Sequence, residues 1–184
     1  MGRIVTISGP RGVGKTSVLD RLRDGHGINS ITPYTTRPMR PGEVDGRDYM
    51  FIDAVTFAKM MQKTPMFDIL QTGGNFYGTP ESVIDSVLGS DEVKTFNVAG
   101  NTAMKLRRYG GELVRTAILL PASWENIRSQ MREGGVAEDE IEHRIQSEPT
   151  DLTQLPLFDR IVVNRYGDLD TTVGDILQYI KTLT

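Results

Sequence analysis

Residues 9–16 read Gly9-Pro10-Arg11-Gly12-Val13-Gly14-Lys15-Thr16, which fits the pattern G-x-x-x-x-G-K-[ST] without a gap or substitution. Small residues at these places let the backbone curl so that successive N–H groups point inward, forming a nest for an anion that a helix N-terminus then reinforces. A nucleotide β-phosphate suits that nest. Lys15 would reach the β- and γ-phosphates as a mobile charge, and the Thr16 hydroxyl would enter the coordination shell of Mg²⁺, with Ser17 following on the same turn. The expected ligand is therefore a nucleoside triphosphate with Mg²⁺, and the expected contacts are the whole loop together with Ser17.

Positioning this loop requires a strand before it and a helix after it. Residues 3–8 are short, apolar and β-branched, and the stretch from 16 to 22 places Val18, Leu19 and Leu22 on one helical face. Downstream, short apolar strands alternate with amphipathic helices, the signature of a mostly parallel sheet covered on both sides. Asp24-Gly25-His26-Gly27 is expected to stop the first helix, and residues 29–32 to start a second extended piece. Strands are expected at 49–52, 66–70, 94–98, 113–120 and 160–164, with 113–120 central because it is the most apolar. Helices are expected at about 53–63 (capped by Asp53), 80–88 (capped by Thr79, with Pro80 first), 101–108, 123–132 (capped by Ser123), 137–148 and 169–183. The C-terminal helix is expected to bury Val173, Ile176, Leu177 and Ile180.

The segment 35–80 differs in character, rich in Gly, Pro and charge, and reads as an inserted lobe; 123–155 reads as a helical hairpin. The expected organisation is one α/β domain: a doubly wound, mostly parallel three-layer core from 1–34, 81–122 and 156–184, with the lobe and the hairpin attached.

Composition sets bounds. The 184 residues are enough for one domain with a three-layer core. An apolar fraction of 38% and a charged fraction of 24% describe a soluble globular chain. The net charge is −3 without runs of one sign, so no nucleic-acid or membrane partner is expected. The absence of cysteine excludes disulfides, thiolate zinc sites and cysteine nucleophiles, and it agrees with a cytoplasmic location. The N-terminus runs straight into the first strand, so no signal peptide is expected. His26 and His143 have no spaced partners for metal or acid–base work. Trp124, Met60, Met61 and Met66 are expected to serve packing.

A second stretch, Thr35-Thr36-Arg37-Pro38-Met39-Arg40-Pro41-Gly42-Glu43-Val44-Asp45-Gly46-Arg47-Asp48-Tyr49, taken with the phosphate loop and Gly74-Asn75-Phe76-Tyr77-Gly78-Thr79, closely resembles guanylate kinase over nearly the whole chain. The resemblance implies a P-loop kinase fold in which ATP phosphorylates GMP or dGMP held in the inserted lobe. It places Arg37, Arg40, Tyr49 and Tyr77 on the acceptor phosphate, and guanidinium forks and phenols are good donors to such a dianion. Simple pairing of Arg37, Arg40 and Arg47 with Glu43, Asp45 and Asp48 is the alternative, most tenable for Arg47. Asp68 stands where the family carries a glutamate that reads the guanine N1–H and 2-amino group. Its side chain is one methylene shorter. Thr79 would offer a hydroxyl to the guanine carbonyl or cap a helix.

The departures are local. Thr95 and Asn97 replace two aspartates, one near the metal and one near the base; Asn97 is thereby a substrate-binding candidate whose amide adds a donor there. In the hairpin, which corresponds to the kinase lid, Arg144 aligns with a phosphoryl-binding arginine. Gly134-Gly135 replaces another, for which Arg128 or Arg132 is a candidate substitute; Arg132 and Arg144 join Lys15 as catalytic candidates, the alternatives being plain surface roles for Arg128 and Arg132 and an i,i+4 pair with Glu140 for Arg144. Asn164 matches the place of the adenine. Two other functions stay open at this point: a P-loop kinase acting on another monophosphate or a phosphorylated sugar, and a catalytically dead binding module. A monomer or weak homodimer is expected.

Overall fold

The computed structural model describes residues 1–147, 152–165 and 167–183. Four strands form a parallel sheet: β1 (Arg3–Ser8), β6 (Val93–Asn97), β7 (Val114–Pro121) and β8 (Arg160–Asn164), in the order β6-β1-β7-β8. Residues 29–31 extend this sheet beyond β6 by hydrogen bonds between Asn29, Ile31 and Thr95. The parallel order requires helical crossovers, and the helices cover both faces. Alternation along the strands decides which residue goes to which face. Val5, Ile7, Ala117, Leu119 and Val162 pack against Val18 and Leu22 of α1 (Lys15–His26) and Val173, Ile176 and Ile180 of α7 (Leu169–Lys181). Ile4, Phe96 and Val114 face the other way, onto Ile84 and Val87 of α3 (Glu81–Leu88) and Leu106 of α4 (Gly100–Gly110). The chain is thus an α/β fold with helices above and below a central parallel sheet.

A second sheet lies within residues 34–80, in the order β3 (Met50–Phe51), β2 (Tyr34–Thr35), β5 (Asn75–Pro80), β4 (Met66–Thr72). Its β4–β5 hairpin turns on Gly73 and Gly74, whose φ values of 56° and 74° match the two-residue turn favoured by strand twist. The sequence reading expected several short strands in this segment but placed none at 75–80. Helix α2 (Ala54–Lys63) is capped by Asp53, which accepts from the Thr56 amide at 2.8 Å. Phe67 joins the lobe to the core, fully buried with Ile84 and Phe96.

Several boundaries shift for identifiable reasons. Helix α1 runs through Gly25 and His26 and stops at Gly27, whose left-handed backbone sends its N–H to Arg23 and Leu22 carbonyls. Thr79 does not cap α3; it belongs to β5 at 2% exposure, and Pro80 occupies the cap position. Helix α4 takes in Gly110 and ends at Gly111. Trp124 is 37% exposed at the start of α5 (Trp124–Glu133), and Met61 is 39% exposed, so neither is core filler. Leu177 is half-buried, whereas Val173, Ile176 and Ile180 are buried as expected. Helix α6 (Glu138–Ser147) ends the hairpin; the expected extension to Glu148 lies outside the described residues.

Candidate active site

Strand β1 delivers the chain at Ser8 to the loop 9–16, and α1 begins at Lys15. The loop is shaped by left-handed glycines. Gly14 has φ 90°, and a Cβ there would lie 2.6 Å from Nδ2 of Asn164, so both conformation and space demand glycine. The Lys15 ammonium folds back across the loop and donates to the carbonyls of Gly9 at 2.6 Å and Pro10 at 2.9 Å. Those carbonyls hold the charge at the rim, where phosphate oxygens can exchange with them. Thr16 and Ser17 are exposed on the first helical turn, as is Arg11 in the loop, whereas Pro10 and Val13 are buried beneath it.

Asn164 is not positioned as an exposed base contact. It is 7% exposed; its amide nitrogen donates to the Val13 carbonyl at 2.7 Å and its oxygen accepts from the Thr172 hydroxyl at 2.6 Å. With both ends used inside the protein, it braces the loop against β8 and α7.

The helical hairpin packs on the same loop. A Cβ on Gly12 would meet Met131 at 2.8 Å and Ile127 at 3.3 Å, and these two side chains form a small core with Ile141 across the hairpin. Arg128 pairs with Glu142 at 2.6 Å, and Arg132 pairs with Glu138 at 2.6 Å and Glu125 at 3.0 Å. Both guanidiniums therefore tie the hairpin together. The side chain of Arg144, on α6, lies outside the described residues.

In the lobe, Arg37 makes a forked bond to Glu43, at 2.7 and 3.0 Å, and donates to the Pro38 carbonyl at 2.7 Å. Its guanidinium carbon sits 5.4 Å from the Tyr49 ring centroid and 5.6 Å from that of Phe51. Tyr77 acts on the same guanidinium and meets Tyr49 edge-on at 5.8 Å. The pairing expected as an alternative to phosphate binding is thus present. Burial, then Tyr77, pushes the Tyr49 phenol up, so it stays a donor at neutral pH. The Arg37 bond, foremost, holds the Glu43 carboxyl below its ordinary range. Arg40 contributes its backbone N–H to Glu43 at 2.7 Å and leaves its side chain exposed. Arg47 pairs with Asp48 at 2.8 Å, the bland role anticipated for it.

Asp68 and Thr79 are direct cross-strand partners in the β4–β5 ladder, so the two candidate base-reading residues are brought together. Asp68 accepts from the Thr102 hydroxyl of α4 at 2.7 Å, and Lys105, one turn on, bonds the Phe67 carbonyl. Sequence reasoning missed Thr102 and Lys105, since nothing in their spacing points to residues 34 positions or more away. Asn97 is exposed at the carboxyl end of β6. Thr95 is fully buried and shares a 2.7 Å hydrogen bond with Ser30, so it offers no ligand to an ion. Among the described residues no group of three or more His, Cys, Asp or Glu could hold a metal. The donor set that fits Mg²⁺ is one exposed hydroxyl, Thr16, completed by phosphate oxygens and water. No helix among the described residues is long and apolar enough to cross a membrane.

The family model described as guanylate kinase matches residues 1–183. The chain is 31% identical to a guanylate kinase of Nitrobacter winogradskyi over 98% of its own length and 82% of the relative's. It is 32% identical to one from Thermus thermophilus, over 96% and 79%. A crystal structure of guanylate kinase from Anaplasma phagocytophilum superposes with a TM-score of 0.69 at 22% identity, covering 98% of this chain and 85% of that one. A gluconokinase structure from Sinorhizobium meliloti reaches 0.53 at 15% identity, which reflects a shared fold.

Proposed function

The chain belongs to the guanylate kinase family, and from that premise we propose that it transfers the γ-phosphoryl group of ATP to GMP or dGMP, giving ADP and the diphosphate. Two features support this reading: Lys15 lies across the loop 9–16, and the Arg37 guanidinium is held by Glu43 beside Tyr49 and Tyr77. The core segments 1–34, 81–122 and 156–184 serve the donor, the lobe 35–80 serves the acceptor, and 123–155 acts as the lid.

Transfer is direct and in line. A non-bridging oxygen of the acceptor phosphate attacks the γ-phosphorus, and the bond to the β-γ bridging oxygen breaks. No general base is required, because that phosphate is already ionised at neutral pH. Lys15 leaves the Gly9 and Pro10 carbonyls for the β- and γ-oxygens, where negative charge accumulates in the transition state. Arg37, Arg40, Tyr49 and Tyr77 hold the acceptor in line. Asp68 reads the N1–H and 2-amino edge of guanine, with Thr79 at the carbonyl and Asn97 beside the base. Thr16 would hold Mg²⁺ through its hydroxyl, and the ion would supply charge neutralisation. Arg144 is assigned to the transferring phosphoryl group. Arg132 is assigned to the hairpin, because it would have to leave two carboxylates to reach a phosphate. The reading carries with it a cytoplasmic protein that is monomeric or weakly dimeric.

Steady-state assays with GMP, dGMP, AMP, dTMP and ribose bisphosphate test it. GMP or dGMP should turn over fastest; turnover of another acceptor with none of these two would overturn the guanine assignment.

A further inference from the structure

Strand β4 carries Asp68 just past a break in the ladder between Met66 and Asp68, where the backbone is least constrained by its neighbour β5. Helix α4 supplies the missing constraint. The Thr102 hydroxyl donates to Asp68 Oδ2 at 2.7 Å. Lys105, three residues further along the same helical face, bonds the Phe67 carbonyl and places its ammonium 4.5 Å from the centre of the Phe67 ring. Phe67 is itself fully buried. One helix thus fixes both the backbone before Asp68 and one of its carboxylate oxygens.

We propose that Thr102 is a positioning residue for base selection, orienting the Asp68 carboxylate toward the guanine edge. The inference rests on the assignment of Asp68 as base reader. An ionised carboxylate has two equivalent oxygens and only acceptor capacity, so without a partner it swivels about its last bond. A hydroxyl donating to one oxygen makes a short, charge-assisted bond and settles the direction in which the other is presented. That matters more for aspartate than for a longer side chain, since its reach leaves fewer rotamers that meet a ligand. Thr79, opposite Asp68 in the ladder and 2% exposed, closes the other side of the position. Helix α4 begins three residues after Asn97.

The test compares Thr102→Val, Thr102→Ser, Asp68→Ala and the double variant Asp68→Ala/Thr102→Val, with GMP and with IMP, which lacks the 2-amino group. Thr102→Val should raise KM for GMP about tenfold while kcat changes less than about threefold, the loss expected for one hydrogen bond to a charged group. It should lower the preference for GMP over IMP by a similar factor and leave KM for ATP unchanged. Thr102→Ser should restore both, and Thr102→Val should add nothing in the Asp68→Ala background. An unchanged KM for GMP in Thr102→Val, a failure of serine to restore it, or an undiminished effect without Asp68 overturns the proposal. If Asp68→Ala itself leaves KM for GMP unchanged, the base-reading assignment fails and the role of Thr102 with it; if Asp68→Ala raises KM and Thr102→Val does not, the assignment stands and this inference alone falls.

Discussion

The side-chain amide of Asn164 donates to the backbone carbonyl of Val13 at 2.7 Å, joining the end of β8 to the middle of the phosphate loop. Its other end accepts from Thr172 of α7 at 2.6 Å. A loop whose function depends on the direction of its N–H groups is thereby held by a contact behind it rather than by residues that touch the ligand. Gly14 completes the arrangement, since any side chain there would strike Asn164.

Replacing Asn164 with leucine should therefore act on stability as well as on ATP. It leaves the buried Val13 carbonyl without this donor and the Thr172 hydroxyl with only its 3.4 Å bond to the Asp168 carbonyl, a cost of about 2 kcal/mol, or a fall in Tm of roughly 4–8 °C for a chain of this size. KM for ATP should rise in the same variant. A higher KM for ATP with an unchanged melting curve would instead place Asn164 at the nucleotide.

Lys15→Met should lower kcat by at least ~10²-fold, because a charge contact that strengthens in the transition state is lost. Its melting temperature should stay close to that of the parent, since the Lys15 ammonium contacts loop carbonyls at the rim rather than the core. Near-normal turnover in this variant would remove the loop lysine from the mechanism.

The Arg37–Glu43 pair predicts a pH dependence of defined sign. The guanidinium holds the Glu43 carboxyl below its ordinary value, which is about 4.3. The stabilisation is therefore fully present above that value and is lost as pH falls below it, through the depressed folded-state value. Between about pH 5 and 8 the pair should contribute a constant amount. Melting curves of the parent and Glu43→Gln should differ by a fixed interval there and converge on acidification. At neutral pH, Glu43→Gln should raise KM for the acceptor about tenfold, since the fork loses its orientation.

If Arg132 serves the hairpin, removing either side of its ion pair should have the same consequence. Arg132→Gln and Glu138→Gln should each change kcat by less than about threefold, and the double variant should add little, as expected for one shared contact. A loss of ~10² or more for Arg132→Gln that Glu138→Gln does not reproduce would put this guanidinium on the phosphoryl group.

How much of this was legible beforehand depends on where the chemistry resides. The loop 9–16 works through contiguous backbone groups, so eight consecutive residues specify it. The strand and helix order likewise follows from apolar periods of two and 3.6, and the sheet β6-β1-β7-β8 uses strands recognisable by their β-branched runs. The Arg37 cluster was half legible: its members fall within one short stretch plus Tyr77, but the choice between pairing with Glu43 and meeting a phosphate is a matter of geometry, and the structure shows the pairing. The β4–β5 turn was missed although Gly73-Gly74 is a turn signal, because the strand that follows carries Gly78 and Pro80 and lacks a run of β-branched residues.

By itself, then, the sequence determined the phosphate loop, the alternating architecture and the residue types facing an acceptor phosphate, each encoded by neighbours within a turn or a strand. Tertiary structure alone decided which distant side chain completes each of them. Asn164 reaches Val13 across 151 positions, and Thr102 reaches Asp68 across 34. Hydrogen bonds of that kind have no period along the chain: they exist because packing brings a donor within 3 Å of an acceptor, and no local pattern records the meeting.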